Sequence, residues 1–327
     1  MHRDSIKHHA TRICILLIGY VRLDLLRENI EICENIVKQN IPVYISIDGE
    51  RIAEEGSKPN LIQSREALLA SIKFASWKVR RLESNLGPDK HIVDAIDWVL
   101  NDNDGVLVIE DDVKLSPESI LEIIRKLSSE ISAERISPII AMSSLASTQT
   151  RKNIWRPTPY FTAWGFALSN EFWKLHQKCI ADLKKSASVD DYMKNSQVWK
   201  KFSRRKKEIW RERVVRGNYD YAIQGTLFHE GLYVSAPLFR VSDNKGHGDL
   251  FSTHTRFPTP IYLRKKVGNR PYVFEGNIQN RLFAKVLQWA DSNTWAGDGW
   301  LSKRGRSVGV RTFLRGAFSR FSRAKNV

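Results

Sequence analysis

Three consecutive carboxylates, Glu110, Asp111 and Asp112, follow directly on the apolar run Gly105–Ile109. A strand sends adjacent side chains to opposite faces, so three neighbouring acids at its end need a turn, hydrogen-bond donors or a cation to be tolerated together. Oxygen ligands of this kind suit Mg²⁺ or Mn²⁺, which take one or two carboxylates together with substrate phosphates. A cation bridging a diphosphate would suit a basic protein. The same acids could instead do no more than cap the helix that Ser116–Pro117–Glu118 begins, since negative charge is favourable at a helix N-terminus.

Other candidates stand where further strands end. They are Arg22, Asp48 beside Gly49, and Asn85–Leu86–Gly87 with Lys90 following. Arginine offers a planar donor fork to a pyrophosphate or a base carbonyl. Asp48 can accept hydrogen bonds from a base or ribose, and Gly87 lets the backbone approach a ligand. Singly each reads as surface decoration; at successive strand ends they describe a nucleotide pocket. No Gly-rich phosphate loop or GxGxxG is present, which removes the main support for kinase and dinucleotide readings. Farther on, Tyr160, Trp164, Phe166 and Trp173 could stack on a sugar or simply fill the core. Trp164 beside Gly165 is the best candidate for an acceptor-side wall.

These residues need a scaffold. Ile13–Val21 and Pro42–Ile47 read as buried strands, Trp77–Leu82 as a third, Gly105–Ile109 as a fourth and Pro138–Met142 as a fifth. Between them, Leu26, Ile30, Cys33 and Val37 recur at helical spacing, as do Ile92, Ile96 and Val99, then Ile120, Ile123, Ile124 and Leu127. A further helix is expected over Leu61–Phe74. This alternation predicts an α/β fold with a largely parallel sheet flanked by helices. The organisation expected is a loose tail over 1–11, a nucleotide-binding half over 12–150, an acceptor half of the same domain over 151–256, and a basic C-terminal extension over 257–327.

The chain has 327 residues and a net charge of +16, from 52 Lys and Arg against 36 Asp and Glu. An excess this large implies an acidic partner: nucleic acid, an anionic membrane face or phosphorylated ligands. The three cysteines, Cys14, Cys33 and Cys179, have neither disulfide-framework nor metal-site spacing, so a reducing, cytoplasmic setting is expected. The adjacent His8 and His9 do not read as a metal cluster. Ile13–Val21 is about half the ~20 residues needed to span a bilayer. Segment 200–216 is strongly basic. The tail beyond Leu301 is basic as well, with Val310, Phe313, Leu314, Phe318 and Phe321 at roughly helical spacing. Such a tail could lie on an anionic membrane surface or remain solvated.

The segments GYVRLD, ISIDG, SNLGPDKHIVDAIDWVL, GVLVIEDDVKLSPESI, FTAWGFALSNEFW, NYDYAIQ and KGHGDLFSTHT together resemble nucleotide-sugar glycosyltransferases of the GT-A fold. The likeness is to bacterial polysaccharide-biosynthesis enzymes and, more remotely, to N-acetylglucosaminyltransferase I. It covers residues 12–256. It implies a metal-dependent transfer of a sugar from a nucleotide-diphosphate donor, a UDP-sugar, to a hydroxyl of a glycan or lipid-linked acceptor. On this resemblance Asp112 is the ligand of a divalent cation (Mn²⁺ or Mg²⁺), and Glu110 and Asp111 face the sugar and ribose. Arg22 and Asp48 contact the nucleotide; Asn85, Gly87 and Lys90 are placed in the same pocket by their strand-end positions alone. Asp220 is the catalytic base of an inverting transfer, and His247 lies in a loop that closes over the donor. Tyr219 stands where the family more usually has Trp, and Gly246 where it has Ser. Read from the residues alone, Asp220 could equally be an N-cap, and His247 and His254 ordinary loop histidines.

Two other readings remain open. A nucleotidyltransferase would share the sheet, cation and carboxylates, but would carry a Gly-rich, Lys/Arg-bearing loop after the first strand, where this chain has GYVRLD. A basic nucleic-acid-binding protein without catalysis would fit the charge, but no helix-turn-helix, RRM or zinc pattern is present and no nucleic acid is expected as partner.

Overall fold

A computed structural model describes residues 11–36, 39–49, 66–70, 72, 77–141, 155–237 and 241–245. The N-terminal tail over 1–10, His247, His254 and the extension over 257–327 lie outside these residues, as does most of the helix expected over Leu61–Phe74, of which 66–70 is described and helical.

Eight strands form one sheet in the order β3-β2-β1-β4-β8-β6-β9-β7. In chain order these are β1 (Ile13–Gly19), β2 (Val43–Ile47), β3 (Lys78–Arg81), β4 (Gly105–Glu110), β6 (Ile139–Ile140), β7 (Trp155–Thr158), β8 (Phe166–Ser169) and β9 (Val234–Pro237). The block β3-β2-β1-β4 is parallel throughout, as expected from its alternation with helices. Beyond β4 the sheet is mixed. The late strand β8 inserts antiparallel between β4 and β6, and β7 runs antiparallel on β9. A separate two-stranded ribbon pairs β5 (Val113–Leu115) with β10 (Ser242–Asn244).

Alternation along the central strands builds two cores. Ile13, Ile15 and Leu17 of β1 and Leu107 and Ile109 of β4 face one side. There they meet Leu26, Ile30 and Cys33 of α1 (Leu23–Glu34) and Ile120, Ile123 and Leu127 of α3 (Pro117–Ser132). Cys14, Leu16, Ile18, Val106 and Val108 face the other side. They pack on α2 (Pro88–Leu100), on Phe172 and Trp173 of α4 (Asn170–Lys185), and on Tyr219, Ile223 and Leu227 of α8 (Tyr219–Glu230). β1 and β4 are covered on both faces, which is why they read as continuous apolar runs and not as alternating ones. Burying each large aliphatic side chain contributes about 1.5–3 kcal/mol, so this double layer fixes the strand ends firmly.

Three further helices, α5 (Val189–Met193), α6 (Gln197–Lys200) and α7 (Arg204–Val215), lead into α8. Trp210 of α7 is buried against α8, where a Cβ added at Gly225 would come within 2.8 Å of the indole. No described helix is long and apolar enough to cross a membrane.

Candidate active site

The chain runs from β1 outward through β2 to β3 and then returns to place β4 on the other flank of β1. In open α/β sheets such a reversal leaves a crevice at the carboxyl ends of the two strands, where ligands bind. Arg22 follows β1 and the three acids end β4, so both lie at this crevice.

The alternation that builds the cores also sorts the acids. Glu110 continues the even-numbered series of β4 toward α8, and its Oε1 accepts a 2.9 Å hydrogen bond from the Tyr219 hydroxyl. Asp111 continues the odd series toward α1. It is buried and meets the Arg22 guanidinium at 2.6 Å. Asp112 sits in the turn before β5 and accepts from the second arm of the same guanidinium at 2.7 Å. One arginine thus neutralises part of two neighbouring acids. Burial works against the Arg22 charge, but the two aspartates outweigh it and hold its pKa up.

The turn itself is held from beneath. The Asn29 amide of α1 donates to the carbonyls of Glu110 (3.1 Å) and Asp111 (3.2 Å). Lys114 donates to the carbonyl of Leu25 and, at 3.1 Å, to the Asn29 side-chain oxygen. On the far side the Lys245 backbone N–H donates to the Asp112 carbonyl at 2.7 Å, extending the β5–β10 ribbon. Gly165, at φ +80°, lies within van der Waals distance of Val113, where its added Cβ would be 3.4 Å away. This bend sets the 164–165 segment beside the acidic turn, while Trp164 packs half-buried against the α1/α3 core.

Negative charge at the site exceeds what the described residues supply against it. Burial raises the Glu110 pKa and the neighbouring Asp112 and Asp111 raise it further, against the Tyr219 hydroxyl and Arg22. Asp111 is pushed up to about 6 by burial, despite its pairing with Arg22. Asp112 has one carboxylate oxygen on Arg22 and the other without a hydrogen-bond partner among the described residues. Hard oxygen donors carrying surplus negative charge fit a divalent cation. No three His, Cys, Asp or Glu side chains among the described residues are arranged to hold one alone. A cation on Asp112 would therefore complete its shell with substrate and water oxygens, as Mg²⁺ commonly does.

A second loop pair flanks the crevice. Asp48, buried at the end of β2, accepts from the backbone N–H groups of Gly49 and Leu86 (both 2.9 Å) on one oxygen. Its other oxygen accepts from the Asn85 amide at 2.9 Å and the Gly87 N–H at 3.0 Å. Four donors fill the ~4 acceptor positions of a carboxylate. In this arrangement Asp48 and Asn85 clamp the loop. Gly49 fits because a Cβ there would lie 2.2 Å from the Ser84 carbonyl carbon, and Gly87 adopts φ +77° just before Pro88 opens α2. Lys90 is exposed on the first turn of α2.

The last component is the N-terminus of α8. Asn218 makes no capping bond of its own. Asp89 of α2 takes that role, accepting from the Tyr219 N–H at 2.9 Å and the Asn218 amide at 3.2 Å. Two bonds, Asp89 to Tyr219 N–H and Tyr219 hydroxyl to Glu110, therefore fix α8 against both α2 and the acidic turn. Asp220 follows Tyr219, with one oxygen accepting from the Tyr221 N–H at 2.9 Å. Burial pushes its pKa up to about 6, and the charge of Asp89 adds to the effect.

The sequence reading did not single out Asn29, Asp89 or Tyr219 as working parts of the site. For Asn29 a signal existed: it shares the helix face of Leu26, Ile30 and Cys33, so a polar group there needs a buried partner. Asp89 looks like an ordinary first-turn acid, and only the tertiary fold brings it to α8.

No protein-family model matches the chain, and no curated protein matches it. Among solved structures it is similar to a mannosyltransferase from Pyrobaculum calidifontis in complex with GDP-Man and Mn²⁺ (11% identity, TM-score 0.34, 52% of this chain and 47% of that one). It is also similar to 4-diphosphocytidyl-2C-methyl-D-erythritol synthase from Anaerococcus prevotii (10% identity, TM-score 0.34, 53% of this chain and 78% of that one). A third is GalNAc-T7 with UDP, GalNAc and Mn²⁺ (9% identity, TM-score 0.37, 72% of this chain and 43% of that one). The chain spans less than half the length of the first and third of these.

Proposed function

We propose that this protein is a GT-A-type glycosyltransferase that moves a sugar from a nucleoside-diphosphate donor to an acceptor hydroxyl. The observation that carries this reading is the acidic turn at the β1/β4 crevice, bridged by Arg22 and joined through Tyr219 to the helix that bears Asp220. In this reading Asp112 ligates a divalent cation, Mn²⁺ or Mg²⁺, which when bound neutralises charge developing on the leaving diphosphate. Arg22 orients Asp111 and Asp112. The 84–90 loop, held by Asp48 and Asn85, receives the nucleotide with Gly87 and Lys90, and Trp164 and Gly165 border the acceptor side.

The bond between the anomeric carbon and the diphosphate oxygen breaks as the acceptor oxygen attacks from the opposite face. Asp220 takes the acceptor proton, and the nucleoside diphosphate leaves. A base on the face opposite the leaving group makes the transfer inverting. The donor in this reading is a UDP-sugar, and the acceptor a glycan or lipid-linked glycan.

Thermal shift with a panel of nucleotide sugars, each with and without Mn²⁺, tests the binding half of this reading, since a true donor stabilises the folded state. The expected result is metal-dependent stabilisation by one or a few donors of one nucleotide type. Stabilisation by nucleoside triphosphates alone, with pyrophosphate as the product, would favour nucleotidyl transfer instead.

A further inference from the structure

The segment from Lys200 to Arg216 carries nine Lys or Arg residues against Glu208 and Glu212. Both glutamates are engaged, Glu208 by Arg204 at 2.9 Å and Glu212 by Arg216 at 2.5 Å. Arg211 is paired with Asp190 at 2.5 Å. Lys200, Lys201, Arg205, Lys206, Lys207 and Arg213 make no ion pair with any described carboxylate. The surface is built, since Lys206 lies over the Phe202 ring at 5.7 Å and Lys207 over Trp199 at 5.3 Å. Trp199 and Trp210 are themselves buried and in edge contact at 5.2 Å, which anchors the whole segment on α8.

Its position relative to the site is informative. α7 leads through Gly217 and Asn218 directly into the N-terminus of α8. Arg213 lies 6.0 Å from the Tyr221 ring centroid, and its charge acts on Asp220. At ~100° per residue, Arg205 and Arg213 fall within about 80° of each other on α7, which at ~1.5 Å per residue makes an exposed track about 12 Å long. This track ends beside Asp220.

We propose that the α6–α7 surface binds the acceptor of the transfer, and that this acceptor is an anionic glycan bearing carboxylate or phosphate groups. The inference rests on the glycosyltransferase reading, because it takes Asp220 as the point where the acceptor hydroxyl arrives. Cations with no ion-pair partner among the described residues, leading to that point, would orient a negatively charged chain and raise its rate of encounter. A membrane-lying helix needs an exposed apolar face. Among the large hydrophobic residues of α7 only Val215 is exposed, and Trp210 points inward. A charged glycan fits this surface better than a bilayer.

The test compares the full-length protein with the Lys201→Gln/Arg205→Gln/Arg213→Gln variant, with circular dichroism confirming the fold of both. Binding is measured to oligogalacturonate, to a phosphorylated mannooligosaccharide, to a neutral maltooligosaccharide of equal length, and to phosphatidylglycerol vesicles. The inference expects the wild-type protein to bind at least one acidic oligosaccharide and not the neutral one. The variant should lose roughly tenfold or more of that affinity while binding vesicles as before. Equal binding of acidic and neutral glycans, an unaffected variant, or a loss confined to vesicles would overturn it. Metal-dependent stabilisation by nucleotide sugars is read on the same preparations. Its absence alongside acidic-glycan binding defeats the glycosyltransferase reading and the acceptor role together, whereas its presence without glycan binding defeats this inference alone.

Discussion

Arg22 stands between Asp111 and Asp112 at 2.6 and 2.7 Å, so a permanent cation already occupies part of the acidic turn. Asp220 is placed differently, away from Arg22 and at the start of a helix, half-buried and raised to about 6. A carboxylate that must accept a proton works only when ionised. The rate should therefore fall as pH drops through about 6, and this acid limb should become shallower in the residual rate of Asp220→Asn, where Asp111 is left titrating in the same range. The same variant should lower turnover by roughly 10²-fold or more with donor affinity little changed, because the residue acts mainly in the transition state. Turnover within a few-fold of wild type would move the base to another carboxylate, with Glu110 and Asp89, which the fold brings to the same helix N-terminus, the next to test. At this scale the acids were legible because Glu110–Asp111–Asp112 is a run of like charge at the end of an apolar strand. The Tyr219–Glu110 bond was not, since residues 109 positions apart meet only once the fold is known.

At the scale of elements, the site depends on loops that hold one another. Asp48 accepts four hydrogen bonds from residues 49 and 85–87, so Asp48→Ala strands several donors at once. The expected cost is roughly 2–4 kcal/mol by chemical denaturation, accompanied by weaker donor binding. A loss below about 1 kcal/mol would show that water replaces the carboxylate without penalty. The α7–α8 contact makes a second prediction. Gly225→Ala gains ~1 kcal/mol of helix propensity. However, its methyl meets the buried Trp210 ring at 2.8 Å, and overpacking of this kind typically costs about 1–3 kcal/mol. Net destabilisation is expected in thermal unfolding, and a stabilised variant would mean that the indole shifts freely. The parallel block β3-β2-β1-β4 and helices α1, α2 and α3 followed from periodicity, because both faces of β1 and β4 are covered and their sequences are uniformly apolar. The insertion of β8 between β4 and β6 did not follow. Phe166–Ser169 is too short to carry a pairing preference, and its neighbours are chosen by tertiary packing.

At the scale of the whole molecule, the net charge of +16 is concentrated in two places on the chain, the 200–216 segment and the tail beyond Leu301. We propose different partners for them, an anionic acceptor for the first and an anionic membrane surface for the second. Deleting residues 301–327 is expected to weaken binding to anionic liposomes and to leave nucleotide-sugar affinity unchanged. Liposome binding that survives the deletion would transfer that role to α7. Both segments were legible as basic, but only the fold set one of them beside Asp220. The central claim, that the acidic turn drives cation-dependent sugar transfer, is tested most directly by nucleoside-diphosphate release from a stabilising nucleotide sugar. The wild-type protein and Asp112→Ala are compared with Mn²⁺ and with EDTA. The account predicts release that EDTA abolishes and that Asp112→Ala lowers by roughly 10³-fold while its fold is retained. Undiminished release in EDTA, or from Asp112→Ala, would contradict it.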